Sequence, residues 1–346
     1  MNLATSKVFE HFRESLLEKR QTLLELLSTT PATKKQTRMG PADERAVQEH
    51  LHVVDAALEK ATTETLGVCT VCHEYVGTEL LEMDYTTCVC IDHLSPEEIQ
   101  RLEAELELSQ VVQRSLLPEQ APDIPGLELA AFSRPAEIIS GDFFDFFRFG
   151  DGRHGIAIAD VAGKGVSASL LMASVQTALR TLAPQSESPA DVLNQLNRLF
   201  RHNINFTTFV TLFLGCFDLT NHTLTYSNAG HNPPVIFQAG GNGRDQMHWL
   251  QPTGAAIGLI EDFPFSFERA TLSPGDILLL YTDGVTEAIN PQKEQFGEER
   301  LAAVVQQASS SSASELVRAL RQALQEFGGG QPLADDTTII ACRIVG

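Results

Sequence analysis

Gly155-Ile156-Ala157-Ile158-Ala159-Asp160-Val161-Ala162-Gly163-Lys164-Gly165 is an apolar run that ends on a carboxylate and a glycine-rich turn. Its first part, Gly155–Asp160, reads as a strand, and the small-residue stretch Lys164–Leu182 that follows reads as a helix. An Asp ending such a strand is pushed out of the core at a point fixed by the backbone. Flanking glycines let water or a ligand approach the main chain. Ser140-Gly141-Asp142, Thr282-Asp283-Gly284-Val285 and Ala334-Asp335-Asp336-Thr337-Thr338 repeat the design. Singly, each Asp reads more simply as a turn residue or a helix cap. Together they are different, because converging carboxylates repel one another unless cations lie among them. An all-oxygen donor set suits Mg²⁺ or Mn²⁺.

Outward from this stretch the texture is of short strands broken by Gly, Asn and Pro. Leu127–Ser133 and Asp142–Phe149 read as strands before it. After it come a helix at Pro189–Arg201 and a hairpin of Phe209–Asp218 with Thr223–Ala229 turning at Thr220-Asn221. A buried strand follows at Ile277–Thr282, then two helical stretches within Leu301–Phe327 around a Ser309–Ser312 break, and a last strand at Thr337–Val345. Strands and helices are grouped rather than strictly alternating, which predicts α+β layers and not a doubly wound parallel sheet.

The N-terminal third has another logic. Apolar residues at helical spacing from Asn2 to Leu27, a polar loop at Ser28–Pro41 and a second periodic stretch at Ala42–Thr63 predict a helical hairpin. Such a pair buries little and needs a staple. Cys69-Thr-Val-Cys72 and Cys90-Ile-Asp-His93 supply one: two knuckles of metal-ligand spacing, 17 residues apart, fit one tetrahedral Zn²⁺. Cys88 is an alternative to Cys90 or His93, although the spacing favours the latter two. Ser95-Pro96-Glu97-Glu98 then caps a helix reaching Leu117, where Pro118 stops it. Its line of Ile99, Leu102, Leu106, Val111, Val112 and Leu116 is either a dimer seam or a face docked on the next domain.

The 346 residues carry 25 Lys+Arg against 45 Asp+Glu, a net charge of −20, which argues against direct nucleic-acid binding. No run is long and apolar enough for a membrane span. Four of the six Cys lie between 69 and 90, a pattern of a metal site in a reducing, cytoplasmic compartment rather than of a disulfide framework. Cys216 and Cys342, alone in β-like runs, read as core residues.

Residues 5–110 resemble a DksA/TraR-type zinc finger, with His93 where a fourth Cys is usual. The hairpin tip carries Lys34, Lys35 and Arg38 instead of the acidic residues with which members of that family address RNA polymerase, so a polymerase-binding role does not carry over. From about 109 to 346, the four acidic motifs in order, with Arg134-Pro135-Ala136, Asn228-Ala229-Gly230-His231-Asn232-Pro233-Pro234 and Phe296-Gly297-Glu298-Glu299-Arg300-Leu301, resemble the SpoIIE/RsbU branch of metal-dependent protein phosphatases, the PPM family.

The resemblance implies a β-sandwich flanked by helices with two Mn²⁺ or Mg²⁺ at one edge. Asp160 would bridge the metals, with the backbone carbonyl of Val161 a further ligand and Asp142, Asp283 and Asp335 completing the set. Asp336 would support them from behind. Asp145 either orients Asp142 or lies on the surface, the latter being favoured. His231 is either a general acid or, as preferred, a structural tie, and Lys164 either steadies a phosphate or faces solvent.

The expected reaction is hydrolysis of phosphoserine or phosphothreonine by a metal-activated hydroxide, without a covalent phosphoenzyme. The expected substrate is a phosphorylated regulatory protein, a STAS-type anti-sigma-factor antagonist. The expected layout is a finger at 1–94, a connecting helix at 95–118 with a possible homodimer through it, and a phosphatase domain at 119–346 regulated by the finger. The rival reading is a weakly active scaffold whose finger binds a transcription-machinery partner.

Overall fold

Strands whose two faces are both covered carry apolar residues without alternation, and that pattern organises the C-terminal part of the chain. The computed structural model describes residues 12, 13, 16, 17, 19–21, 24, 41–63, 65–76, 86–136, 138–163, 165–200, 209–238, 246–260, 263–331 and 334–345, without the side chains of 41–47, 49 and 91. Most of the predicted first helix, the tip with Lys34, Lys35 and Arg38, residues 77–85 between the zinc knuckles, and Lys164 lie outside the described residues.

In chain order the elements are α1 (Pro41–Thr62), α2 (Pro96–Leu116), β1 (Leu127–Arg134), β2 (Phe143–Arg148), β3 (His154–Val161), α3 (Gly165–Leu182), α4 (Pro189–Phe200), β4 (Val210–Asp218), β5 (Thr223–Ala229), β6 (Val235–Gln238), β7 (Gln246–Trp249), β8 (Glu268–Thr271), β9 (Ile277–Tyr281), α5 (Asp283–Thr286), α6 (Gly297–Gln307), α7 (Ala313–Gly328) and β10 (Thr337–Ile344). They form two compact units, Met1–Ala104 and Glu105–Gly346, the division falling within α2.

In the second unit two five-stranded antiparallel sheets, ordered β1-β10-β9-β6-β7 and β2-β3-β4-β5-β8, stack face to face. Alternate residues serve the two sides of each strand. In β3, Ile156 and Ile158 enter the core between the sheets, while Ala157 and Ala159 face the helices α3 and α4. In β10, Ile340 and Cys342 point between the sheets, and Ile339 and Ala341 meet α6 and α7. The result is four layers, helix–sheet–sheet–helix, which is the flanked sandwich that the family resemblance implies.

The helices follow the same economy. In α3 the buried Ala168, Met172, Val175 and Leu179 fall three or four residues apart along one stripe. Helix α7 begins with a reciprocal capping box between Ser312 and Glu315 and ends on Gly329 in the left-handed region (φ 59°), a conformation that favours glycine.

In the first unit, Val54, Ala57 and Ala61 of α1 share a small core with Phe12, Leu16, Leu66, Cys69 and Val76. Among the described residues no helix is long and apolar enough to cross a membrane.

Candidate active site

The site is assembled where the ends of the two sheets meet. Asp142, just before β2, is 1% exposed. Its Oδ2 accepts hydrogen bonds from the hydroxyls of Thr282, after β9, and Thr338, in β10, each at 2.8 Å. Those threonines are themselves joined, with the Thr338 N–H donating to Thr282 Oγ1 at 2.9 Å. A residue leading into one sheet is thereby locked to two strand ends of the other. Burial, and then the charge of Asp160, push the Asp142 carboxyl well above its ordinary range.

Asp160 stands near the end of β3, opposite Thr211 of β4. A Cβ placed on Gly141 would lie 3.0 Å from the Val161 carbonyl oxygen and 3.6 Å from Asp160 Oδ1, so this loop rests directly against the predicted bridging residue. Asp283 opens the short helix α5. Its carboxyl is raised by burial and then by Asp335. Asp160 and Asp336 thus act on Asp142, and Asp335, Glu287 and Asp336 act on Asp283, which puts these carboxylates within electrostatic reach of one another.

Asp336 has a definite task. It accepts from the Ala136 N–H at 2.8 Å, the Ser140 hydroxyl at 2.8 Å and the Gly141 N–H at 2.7 Å. It ties the loop before Asp142 to the start of β10. Close approach of the chains continues at Gly284, where a Cβ would collide with the Asp336 carbonyl oxygen.

His231 is 1% exposed. Its Nδ1 lies 2.9 Å from Thr211 Oγ1, and that hydroxyl reaches the Asp160 carbonyl at 3.4 Å. The His231 N–H donates to Asn228 Oδ1 at 2.8 Å, while Asn228 Nδ2 donates back to the His231 carbonyl at 3.1 Å. Burial holds the imidazole pKa down at about 3, so the ring is neutral at physiological pH. Its contacts link β4 to the 228–234 turn.

One expectation is corrected. Asp145 is not a surface residue: it is fully buried and takes a two-pronged contact from Arg180 of α3, at 2.6 and 3.0 Å, and an N–H from Phe146 at 2.9 Å. A carboxylate in a phenylalanine-rich strand is tolerated because the guanidinium reaches over it. The same Arg180, with Gln176, donates to the Leu116 carbonyl at the end of α2.

Sequence reasoning also missed Gln113. Its amide donates to the Ser140 carbonyl at 2.6 Å and accepts from the Ser140 N–H at 2.9 Å, and Gln110 donates to the Ile138 carbonyl at 2.7 Å. The last turns of α2 thus grip the loop that positions Asp142. The available signal was a polar residue, Gln113, interrupting the apolar line Val111-Val112…Leu116-Leu117. Burial pushes the thiols of Cys216 (to about 12) and Cys342 upward, so neither is an activated nucleophile.

In the first unit, the ligand atoms of Cys69, Cys72, Cys90 and His93 all lie within 4.8 Å of one another, and Cys88 is outside the group. The Cys72–Cys90 sulfurs, and Cys69 Sγ with His93 Nδ1, are 3.8 Å apart, while Cys90 Sγ and His93 Nδ1 approach to 2.8 Å. A tetrahedron with zinc–sulfur arms of about 2.3 Å has edges of about 3.8 Å. Main-chain N–H groups of Val71 and Cys90 point at Cys69 Sγ at 3.4 Å each. Hydrogen bonds at the Cys72 and Cys90 backbone bring the Cys69 thiol down to about 5, while burial and the neighbouring Cys69 and Cys72 push the Cys90 thiol up to about 11. Cys88 contributes through its main chain, its carbonyl accepting from the Thr70 N–H at 2.8 Å.

The donor chemistry separates the two places. The hard carboxylates and the Val161 carbonyl fit Mg²⁺ or Mn²⁺, and the sulfur–imidazole set fits Zn²⁺.

Comparison with known proteins agrees with the site. The family of Stage II sporulation protein E (SpoIIE) matches residues 150–345. Phosphoserine phosphatase RsbU of Bacillus subtilis (strain 168) is 32% identical over 246 residues, 70% of this chain and 71% of RsbU. Protein IcfG of Synechocystis sp. is 33% identical over 265 residues, 68% of this chain but 41% of that protein, so less than half of IcfG is represented. Of solved structures, the SiaA-PP2C domain of Pseudomonas aeruginosa has a TM-score of 0.63 at 21% identity, covering 71% of this chain and 98% of that domain. At that identity the likeness is one of fold. With the family matched over more than half its length and RsbU over most of both chains, the chain belongs to the SpoIIE family and contains a protein serine/threonine phosphatase domain of the SpoIIE/RsbU type.

Proposed function

We propose that the chain is a Mn²⁺- or Mg²⁺-dependent phosphatase that removes phosphate from phosphoserine or phosphothreonine on a regulatory protein, a STAS-type anti-sigma-factor antagonist in the cytoplasm. The observation that carries this reading is the set of carboxylates at the meeting ends of two sheets, with Asp142 locked to Thr282 and Thr338 across them. The description of RsbU as a phosphoserine phosphatase supports it.

Two divalent cations, when bound, neutralise phosphoryl charge and make water nucleophilic at neutral pH. Asp142, Asp160, Asp283, Asp335 and the Val161 carbonyl are the groups that would hold them. The protein's own contribution is rigidity. Thr282 and Thr338 fix the Asp142 carboxylate in one orientation, Asp336 fixes the loop before it, and neutral His231 steadies Thr211 beneath Asp160. Positions held this way need little reorganisation as the reaction proceeds. Release of inorganic phosphate from a serine-phosphorylated antagonist protein, present with Mn²⁺ and lost with EDTA, tests the assignment. Its absence for every phosphoserine substrate rejects it.

The finer layout is a finger at 1–94, a connecting helix at 95–118 and a phosphatase domain at 119–346. The finger holds one Zn²⁺ through Cys69, Cys72, Cys90 and His93 and regulates the phosphatase. Exposed Leu108, Val111 and Val112 on α2 are the seam of a homodimer. The support for regulation is the grip of Gln110 and Gln113 on 138–140, since any displacement of α2 is felt at Asp142.

One zinc per chain is expected by elemental analysis, lost in a Cys69→Ser/Cys72→Ser double variant and retained in His93→Cys. Zinc removal from the full chain is expected to change turnover about five- to hundredfold at constant Mn²⁺. Zinc-free protein purified without chelator rejects the metal site, and unchanged kinetics after zinc removal rejects the regulation.

A further inference from the structure

We propose that a guanidinium-lined recess beside the carboxylate site binds acidic residues flanking the phosphorylated residue of the protein substrate, an inference that rests on the phosphatase reading. A cavity of about 800 Å³ opens between β1 and α7, lined among others by Phe132 and Arg134 of β1, Arg318 and Arg321 of α7, Gly284 and Ala334. Gly284 follows Asp283 in the chain and Ala334 precedes Asp335, so the recess begins where the carboxylate site ends.

Three guanidiniums in one recess are a local exception on a chain of net charge −20. Glu326 is the one carboxylate among the lining residues. Arg318 and Arg321 are three apart on α7 and therefore share a face. The Arg321 guanidinium stacks on Phe132, 4.0 Å from the ring centroid. Such a stack fixes the plane of the guanidinium and leaves its edge, a fork of N–H donors, open to a carboxylate. Among the described residues, Arg134, Arg318 and Arg321 form no salt bridge within 4 Å, although Arg318 lies near enough to Glu315 of the same helix to lower its carboxyl.

Elsewhere the negative surface repels an acidic partner, so this recess orients one. A single released phosphate ion would not fill the volume, whereas a few side chains of a peptide would. Charge complementarity therefore selects glutamate- or aspartate-bearing sequence next to the phosphoserine.

The test uses the full chain and synthetic phosphoserine peptides flanked on one side or the other by glutamates, or by alanines. With Mn²⁺ the parent is expected to prefer a glutamate-flanked peptide by about tenfold in kcat/KM, mainly through KM. Arg318→Glu/Arg321→Glu is expected to bring the ratio to about one or below. Arg318→Gln/Arg321→Gln, which keeps the helix uncharged there, is expected to fall between.

Fluorescence anisotropy of a labelled, unphosphorylated glutamate-flanked peptide gives a readout independent of turnover. If it binds the parent, and the charge reversal abolishes binding while no peptide is hydrolysed, the recess stands and the phosphatase reading falls. Equal kcat/KM for glutamate- and alanine-flanked peptides, or a preference that survives both double variants, overturns the recess.

Discussion

Asp160→Ala is expected to lower Mn²⁺-dependent phosphate release by about 10³-fold or more, while the unfolding temperature stays at or slightly above that of the parent. Cation stabilisation of a phosphoryl transition state is worth several kcal/mol, and each 1.36 kcal/mol is a factor of ten. The side chain sits near the end of β3, only partly buried, and its backbone pairing with β4 does not depend on the carboxylate. Its charge is the second cause, after burial, of the strained Asp142 carboxyl. Removing it relieves a repulsion in the metal-free protein, so the fold is expected to tolerate the change. Turnover within a few-fold of the parent contradicts the role given to Asp160.

The second large effect is expected at a residue with no chemistry of its own. Gly284→Ala puts a methyl group into the Asp336 carbonyl oxygen, with the Asp336 carbonyl carbon at 2.9 Å and Thr337 Oγ1 at 3.2 Å. The two Asp336 atoms are main chain and cannot swing aside, so α5 must shift, and Asp283 at its start shifts with it. Misplacement of a reacting group by about 1 Å costs on the order of 10²-fold. The expected outcome is a hundredfold-scale loss of turnover with weaker Mn²⁺ dependence, and a lower unfolding temperature from overpacking. Calorimetric titration with Mn²⁺ checks it. Parent-like affinity and turnover mean that the strand–helix contact does not position Asp283.

The parts of the fold legible in the sequence were those whose burial leaves a simple trace. Strands β3, β4, β9 and β10 are covered on both faces and read as apolar runs. Their ends were placed within one or two residues, as was the capped break at Ser309–Ser312. Strands β6, β7 and β8 were not foreseen. Each has four residues, β7 (Gln246–Trp249) and β8 (Glu268–Thr271) lie at sheet edges, and both are partly exposed and mixed in polarity. A short edge strand owes its existence to the neighbour it pairs with and carries little pattern of its own.

The candidate site divides along the same line. The four acidic motifs announce themselves by position at strand ends. What holds them does not, because it depends on which chain segments meet. Thr282 and Thr338 matter to Asp142 only once β9 and β10 lie side by side. Asp145 looked like a surface residue because its partner, Arg180, is 35 residues away on α3. His231 carried two readings in the sequence, and only the fold shows that the ring is buried against Thr211.

The measurement that bears most directly on the account is phosphate release by the full chain from a phosphoserine peptide, titrated with Mn²⁺ in protein first stripped of divalent ions. No turnover is expected in the stripped protein. Activity should rise with Mn²⁺ and saturate with about two ions bound per carboxylate site, and Asp142→Asn, Asp283→Asn and Asp335→Asn should each flatten the titration. Phosphate release that persists without any divalent cation, or that follows Mn²⁺ equally well in all three variants, would contradict it.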